Sequence, residues 1–555
     1  MTPGACPPLE LTSVLSWLRR KSAPGAKLRS DSRMVHTGDI FFALPGLRRQ
    51  AQSYVGDALK RGASAVLLAD SQLEIGVEAG VEAGVGAGVE AGVEAGVEAG
   101  VEAPLLPVAG LASFAGELAA AYLNYPSRRL PVIAVTGTNG KTSVSHWIAQ
   151  AWSKPAAVIG TLGAGLMGAA QPLEAFGLTT PDAVRLQQML GDFAEQGASL
   201  IAIEASSIGL DQGRLQGLEP AVAVFTNLSR DHLDYHADMH AYAQAKARLF
   251  AMLGSARASA AQAQAVINID DVWARVMIEA CPPGCPLWFY SVQDEPDAAK
   301  ALASQHQAHL LWARHAPADH QSGLQWARFE PGKPKAVDQG QLQLGLMGRF
   351  NAANALAVAC TLMALGQRTQ DAVQSLGALK PVPGRMQCMG TAQTPLVVVD
   401  YAHTPDAVAQ VLVALRSVTE QRQGRLHCLL GAGGDRDPGK RHAMGALAIK
   451  ACDRLCLTSD NPRDEDPQVI CEALRQGAIN VCPEAAHDAR RLLVDVDRGS
   501  AIDHIIASAA ACDVILIAGK GHESYQEVRG HRQHFDDSEH AQHALKRHWP
   551  LEVRA

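Results

Sequence analysis

The stretch PVIAVTGTNGKTSVSHW, residues 131–147, runs from an apolar segment through a glycine-bracketed turn into a helical pattern. A strand followed by Gly137, Gly140, Lys141 and Thr142 reads as a phosphate cradle. Glycines let backbone N–H groups approach phosphate oxygens, and the start of the following helix favours negative charge. Lys141 is expected to reach the β- and γ-phosphates and Thr142 to ligate Mg²⁺. The general loop carries a glycine five positions before Gly140, where this chain has Val135, so the match is to a shortened variant. A bound phosphate is compatible with a motor, a switch, a kinase or a ligase, and the loop alone does not choose among them.

Around the loop, apolar and helical segments alternate. Upstream, GDIFFALPG and GASAVLLAD read as strands around a helical AQSYVGDALKRG, and a helical LASFAGELAAAYLN leads into PVIAVT. Downstream come the strands AAVIGTL, SLIAIEAS, PAVAVFTN and AQAVINID, separated by helical stretches such as AVRLQQMLGDFAEQG and MHAYAQAKARLFAML. This alternation predicts an α/β fold with a mostly parallel sheet covered on both faces. A break at Lys380–Pro383 (LKPVPGR) opens a further unit with the strands TPLVVVD, RLHCLLG, ACDRLCLTSD and CDVILIAG. The expectation is three α/β domains, 1–110, 111–380 with the phosphate loop, and 381–555. Inside the first, residues 77–103 repeat VEAG. Glutamate in nearly every repeat excludes a bilayer, and each glycine weakens a helix by about 1 kcal/mol, so the repeat reads as a flexible surface insertion.

Composition narrows the function classes. A chain of 555 residues is too long for one core. Its 47% hydrophobic and 19% charged residues are those of an ordinary globular protein. The net charge of -7 argues against a nucleic-acid surface covering the molecule, and leaves room for a local basic pocket. No apolar run approaches the roughly 20 residues of a membrane span, and the N-terminus lacks a secretory pattern. The 11 cysteines are scattered, and the pairs Cys281/Cys285 and Cys452/Cys456 lack a second half that would complete a zinc site. Reduced thiols in the cytoplasm are the expectation.

Polar residues cluster where strands end. Glu204, Ser206 and Ser207 follow SLIAIEAS, at the edge where open α/β sheets bind ligands; a helix cap is the alternative reading. FTNLSRDHLDYH repeats the arrangement with Asn227, Asp231, His232 and His236, which are equally readable as structural or exposed groups. Lys246 in AQAKARLF, taken alone, is a solvated helix lysine.

TGTNGKT, EASSIGL, TNLSRDHLDYH, GRFNAANALA, PGRM, DYAHTPDA, GGDRDPGKR, DNPR and AGKGHE occur in this order along the chain. Together they resemble the Mur ligase family, the ATP-dependent amino-acid ligases of peptidoglycan assembly. The resemblance covers nearly all of the chain outside the insertion. It implies an N-terminal UDP-binding α/β unit, a central P-loop ATPase domain and a C-terminal Rossmann-like domain. It also implies catalytic roles for Lys141, Glu204, His232 and Lys246. Lys246 would be carbamylated, which turns a cation that competes with Mg²⁺ into an anionic ligand, and Thr142, Glu204, His232 and Lys246 would hold the metal. Nucleotide contacts fall on Gly137, Thr138, Asn139, Gly140, Lys141, Thr142, Asn227, Asn351, Arg385 and Asp400.

For a UDP-N-acetylmuramoyl-L-alanyl-D-glutamate substrate, the implied contacts are Ser30, Ser32, Thr179, Thr180, Ser206, Gln212 and Arg214. Two departures stand out: Leu178 replaces a frequent asparagine before the threonine pair, and the GLRRQ loop around Arg48 differs from the related pattern. Asp460, Asn461, Pro462 and Arg463 resemble the signature of members that add meso-diaminopimelate, with Arg436, Gly519 and Glu523 holding the rest of that amino acid. An arginine fork suits the second carboxylate that lysine lacks; as bare sequence, DNPR is also a β-turn with a surface arginine. The chemistry implied is carboxylate activation by ATP through an acyl phosphate, carried out by a cytoplasmic monomer with no nucleic-acid partner and no membrane insertion. Two other readings are a folylpolyglutamate synthetase, which lacks a UDP-binding domain, and a nucleotide-dependent scaffold that adds no amino acid.

Overall fold

The computed structural model describes residues 11–46, 51–70, 104–254, 262–318, 321–435 and 437–550. The insertion 77–103, Arg48 and Arg436 lie outside the described residues. The chain falls into two compact units, Met1–Ile133 with Lys154–Ala221 and Ser255–Gln262, and Ala134–Ser153 with Val222–Gly254 and Ala263–Ala555.

In the first unit, β1 (Leu28–Arg29), β2 (Ile40–Ala43), β3 (Ala65–Asp70) and β4 (Leu105–Ala109) form a parallel sheet in that order. Successive strand residues point to opposite faces. Phe42 and Leu67 therefore pack with the helices Leu11–Lys21 and Leu111–Tyr122, while Phe41 and Val66 pack with Val55 and Leu59. Burial on both faces is why these strands read as unbroken apolar runs. β5 (Val132–Thr136) carries the chain from the first unit into the second. Also in the first unit, β6 (Ala156–Gly160) pairs antiparallel with β7 (Gly163–Leu166) and parallel with β8 (Leu200–Glu204).

The second unit starts with parallel β9 (Val222–Phe225), β10 (Gln264–Asn268), β11 (Leu287–Ser291) and β12 (His309–Ala318). Two antiparallel strands that the sequence reading did not anticipate, β13 (Gln321–Phe329) and β14 (Asp338–Leu344), extend this sheet. β14 alternates exposed and half-buried residues, as an edge strand with one wet face does. The helix Arg349–Ala364 is buried almost all round and packs on the phosphate-loop helix Lys141–Ala151.

A second sheet in this unit contains β15 (Gln387–Met389), β16 (Leu396–Asp400), β17 (Leu426–Leu430), β18 (Arg454–Leu457), β19 (Leu492–Val494) and β20 (Val514–Ala518), in the order β15-β16-β20-β17-β18-β19. It is parallel except at β15. A hairpin of β21 (Tyr525–Val528) and β22 (His531–His534) follows. The wholly buried Arg498 pairs with Asp537 at 2.7 Å and donates to Ser459 O at 3.2 Å and Ala518 O at 3.0 Å. It thereby ties together the loops that leave β18 and β20. The α/β class with mostly parallel sheets is as expected. Among the described residues, no helix is long and apolar enough to cross a membrane.

Candidate active site

β5 ends at the phosphate loop, and Gly140 caps the helix Lys141–Ala151 in the left-handed region, φ 87°. Side chains are excluded from both loop glycines. A Cβ on Gly137 would stand 1.9 Å from Thr226 Oγ1, and one on Gly140 2.6 Å from Asn354 Oδ1. Asn227 clamps the loop: its Oδ1 accepts from Asn139 N at 2.9 Å and its Nδ2 donates to Asn139 O at 3.1 Å. The Thr138 hydroxyl lies 3.1 Å from the Tyr242 hydroxyl and donates to Ser229 O at 3.1 Å.

Two amines meet on this loop. Lys141 Nζ donates to Gly137 O at 2.9 Å, and Lys246 Nζ, from the helix Met239–Ala251, donates to the same oxygen at 2.8 Å. Lys246 is only 1% exposed. Burial, and then the Lys141 charge, hold its pKa well below that of an ordinary lysine. Lys246 is thus a buried amine whose charged form is disfavoured, and not a solvated helix lysine. Its Nζ stands 4.5 Å from the centre of the Tyr242 ring, whose other neighbours are His232 and His236.

His232 sits at φ 54°. Burial first, then Lys246 and Lys141, push its pKa down to about 4 against the opposing pull of Asp231. Neutral imidazole is the form able to ligate a metal. Next to it, Asp231 lies 3.5 Å from His232, 3.7 Å from His403 and 3.5 Å from Lys440. Burial alone would raise the Asp231 carboxyl, but these partners hold it well below the usual carboxylate range.

A cavity of about 820 Å³ opens beside the loop, lined among others by Asn139, Gly140, Asn351, Arg385 and Asp400. Its size suits a nucleotide. Asn351 is buried and donates from Nδ2 to Met347 O at 2.9 Å. Arg385 Nη2 donates to Thr142 Oγ1 at 3.1 Å, with its guanidinium 4.4 Å above the Tyr401 ring. Asp400 accepts from Met386 N at 2.7 Å; burial raises its carboxyl, opposed by Arg385.

The DNPR and AGKGHE segments also come together in this unit. Asn461 Nδ2 donates to Glu523 Oε2 at 2.6 Å, and the buried Lys520 Nζ donates to Asn461 Oδ1 at 3.2 Å. Burial, then the neighbouring Asp460, raises the Glu523 carboxyl, with Lys520 opposing. Pro462 O accepts from Glu465 N at 3.0 Å, so the chain turns over Pro462–Glu465, with Asp460 and Asn461 leading into the turn. Arg463 is half-buried, not a free surface group, and its Nη1 donates to Gly434 O at 2.5 Å.

In the first unit, Thr180 Oγ1 donates to Glu204 O at 2.8 Å and accepts from Ser206 N at 3.0 Å, while Arg214 Nη1 donates to Thr180 O at 2.9 Å and its Nη2 to Gln212 Oε1 at 2.7 Å. Ser206 caps the helix Ser207–Asp211. Glu204 is wholly buried and accepts from Thr161 N at 2.9 Å; the Thr161 hydroxyl lies 3.2 Å from Thr179 Oγ1. Ser30 and Ser32 flank Asp31 on the loop after β1, and Leu178 is 46% exposed.

Two family descriptions match the chain: the Mur ligase middle domain over residues 135–362, and the Mur ligase glutamate ligase domain over 384–521. A UDP-N-acetylmuramoyl-L-alanyl-D-glutamate--2,6-diaminopimelate ligase from Janthinobacterium sp. (strain Marseille) is 40% identical over 548 residues, 96% of this chain and 97% of that one. The chain belongs to the Mur ligase family. A solved structure of a UDP-N-acetylmuramoyl-L-alanyl-D-glutamate--2,6-diaminopimelate ligase is 33% identical, with 94% of each chain covered and a TM-score of 0.58. A folylpolyglutamate synthase from Mycobacterium tuberculosis shares the fold at 19% identity and TM-score 0.52, over 72% of this chain.

Within this Mur ligase, His403 and Lys440 were not singled out from sequence, although DYAHTPDA and GGDRDPGKR contain them. The missing signal was spatial: both meet Asp231, Lys440 from 209 residues away.

His522 adds a pH dependence. Burial, then Arg385, lowers its pKa to about 3. Between the ordinary value of 6.5 and about 3, the unfolded chain binds a proton that the folded chain refuses, so stability falls as pH drops through that window. Urea midpoints should therefore fall less between pH 7 and pH 5 in His522→Asn than in the wild type; parallel losses would contradict this.

Proposed function

We propose that this chain joins meso-diaminopimelate to UDP-N-acetylmuramoyl-L-alanyl-D-glutamate, with ATP cleaved to ADP and phosphate. The observation that carries the reading is the pairing, within one compact unit, of a phosphate loop backed by the buried Lys246 with the Asp460–Arg463 segment. The names of the relatives at 40% and 33% identity agree with it.

A carboxylate oxygen is too poor a leaving group to give way to an amine. In the first step, an oxygen of the D-glutamate γ-carboxylate attacks the γ-phosphorus, the bond to the β-γ bridging oxygen breaks, and ADP leaves. Lys141 and Arg385 offset the charge on the transferring group. In the second, the amine attacks the acyl carbon, loses a proton, and inorganic phosphate departs with the oxygen it took from the carboxylate. Holding three reactants in line can supply roughly 7–11 kcal/mol of the barrier.

Residues 1–110 with Ser30 and Ser32, and Thr179, Thr180, Ser206, Gln212 and Arg214 of the central domain 111–380, would hold the UDP-sugar peptide. Asn227 would act through the loop backbone it clamps, Asn351 and Asp400 on the nucleotide. In domain 381–555, Arg463 would grip the second carboxylate of diaminopimelate, and Arg436, Asp460, Asn461, Gly519 and Glu523 the remainder. One chain supplies every named group, so a cytoplasmic monomer suffices.

The donor set fits Mg²⁺ only in part. No group of three or more His, Cys, Asp or Glu stands ready to hold a metal among the described residues. Mg²⁺ commonly takes few protein ligands and completes its shell with phosphate oxygens and water. Thr142, Glu204, His232 and a modified Lys246 would hold it, and bound there it would neutralise phosphate charge. The lowered pKa of the buried Lys246 amine supports the modification: once deprotonated it would add to CO₂, forming an N–C bond and releasing a proton, and would yield a carbamate anion near Lys141.

ADP release should depend on both the UDP-dipeptide and meso-diaminopimelate, with lysine a poor replacement; release without the amino acid would favour a nucleotide-driven scaffold. Arg463→Ala should lower kcat/KM for diaminopimelate by about 30-fold or more, the order of 2 kcal/mol expected from unpairing a buried charge contact. Stripping dissolved CO₂ should depress turnover reversibly, and ¹³C-bicarbonate should give a carbamate NMR signal that Lys246→Arg abolishes. Full activity without CO₂ and no such signal would refute the carbamate.

A further inference from the structure

The segment that carries Arg463 is held from outside as well as by its own Pro462–Glu465 hydrogen bond. Arg463 sits at φ 52°, in the left-handed region that a long side chain enters only when its surroundings impose it. The surroundings are the hairpin β21–β22. Arg463 N donates to Glu527 O at 3.0 Å and Arg529 N donates to Arg463 O at 2.7 Å, which makes Arg463 a lone bridge partner of Val528. Glu527 N donates to Asn461 Oδ1 at 2.9 Å, and Gln526 Nε2 donates to Asp460 O at 2.8 Å. Lys520 Nζ closes the base of the hairpin by donating to Tyr525 O at 2.5 Å. On the other side, Arg532 lies 4.4 Å over the Tyr525 ring and pairs with Glu527 at 3.0 Å. Every residue from Asp460 to Arg463 except Pro462 is thus bonded to the hairpin.

We propose that this hairpin is the frame that sets amino-acid selectivity, with Gln526 as a positioning residue for the Asp460–Arg463 turn. The inference rests on the ligase reading above. A planar guanidinium recognises a carboxylate through two parallel hydrogen bonds, and that geometry tolerates little displacement. The hairpin grips the segment through main-chain groups at Glu527 and Arg529, which side-chain substitutions other than proline leave in place. At Gln526 the grip is a side-chain amide, so it can be cut while the rest of the frame remains. Loosening it costs the substrate that uses the Arg463 fork and spares the one that does not: lysine has no second carboxylate to lose.

The test uses the full-length enzyme with Gln526→Ala and Gln526→Glu, the second keeping the side-chain length while removing the donor to Asp460 O. Both should raise KM for meso-diaminopimelate by about tenfold, leave KM for ATP within about twofold, and shrink the preference for diaminopimelate over lysine. Unchanged KM for diaminopimelate in Gln526→Glu overturns the inference, as does an equal rise in every KM, which would mark a merely structural role. Wild-type turnover with diaminopimelate is the reference. Its absence overturns the ligase reading and this inference together; wild-type turnover with unaltered variants overturns this inference alone.

Discussion

Two amines, Lys141 and Lys246, share the carbonyl oxygen of Gly137. Two ammonium groups on one buried carbonyl repel each other, which disfavours the charged form of the more deeply buried one. Lys246 is wholly enclosed, and burial, then the Lys141 charge, hold its pKa well below that of an ordinary lysine, while Lys141 is half-exposed. The two lysines are therefore unlike: Lys141 is half-exposed, while Lys246 is enclosed and holds its proton less firmly. His232 follows the same field, since both lysines help to lower its pKa to about 4. Loop, lysine pair and histidine form one electrostatic arrangement built around a single backbone carbonyl.

The fold makes the arrangement possible by stacking buried strands so that their polar ends converge. β5 delivers the phosphate loop, and β9 delivers Thr226 and Asn227, which hold it from the side. β16 delivers Asp400 against the Arg385 segment. The turn after β18 and the loop after β20 are fastened by Arg498, buried deep enough that its pairing with Asp537 is screened from solvent. A rigid platform of parallel strands with polar loops at their ends is the usual ligand-binding edge of open α/β sheets.

Much of this was legible in the sequence, and the limits follow a physical pattern. Unbroken apolar runs such as SLIAIEAS and PAVAVFTN announced doubly covered parallel strands, and the glycine turn before Lys141 announced phosphate. The antiparallel β13 and β14 were missed because QSGLQWARF and DQGQLQL interleave polar with apolar residues and carry no long apolar run. Lys246 could not be read from AQAKARLF, where spacing says only that it lies on a helix. Its burial is set by Gly137, 109 residues earlier. Arg463 gave a turn and a charge but not its left-handed backbone, which is imposed by a hairpin more than sixty residues on. Local pattern reveals elements and loops, and long-range packing decides protonation and backbone strain.

Activation of a carboxylate of the cell-wall precursor by the nucleotide is the step on which the chemistry turns. It is tested most directly by labelling the D-glutamate γ-carboxylate of the UDP-dipeptide with ¹⁸O and following the label through one turnover. Each amide formed should leave one labelled oxygen in the released inorganic phosphate. Phosphate free of the label, with amide formation intact, would contradict it.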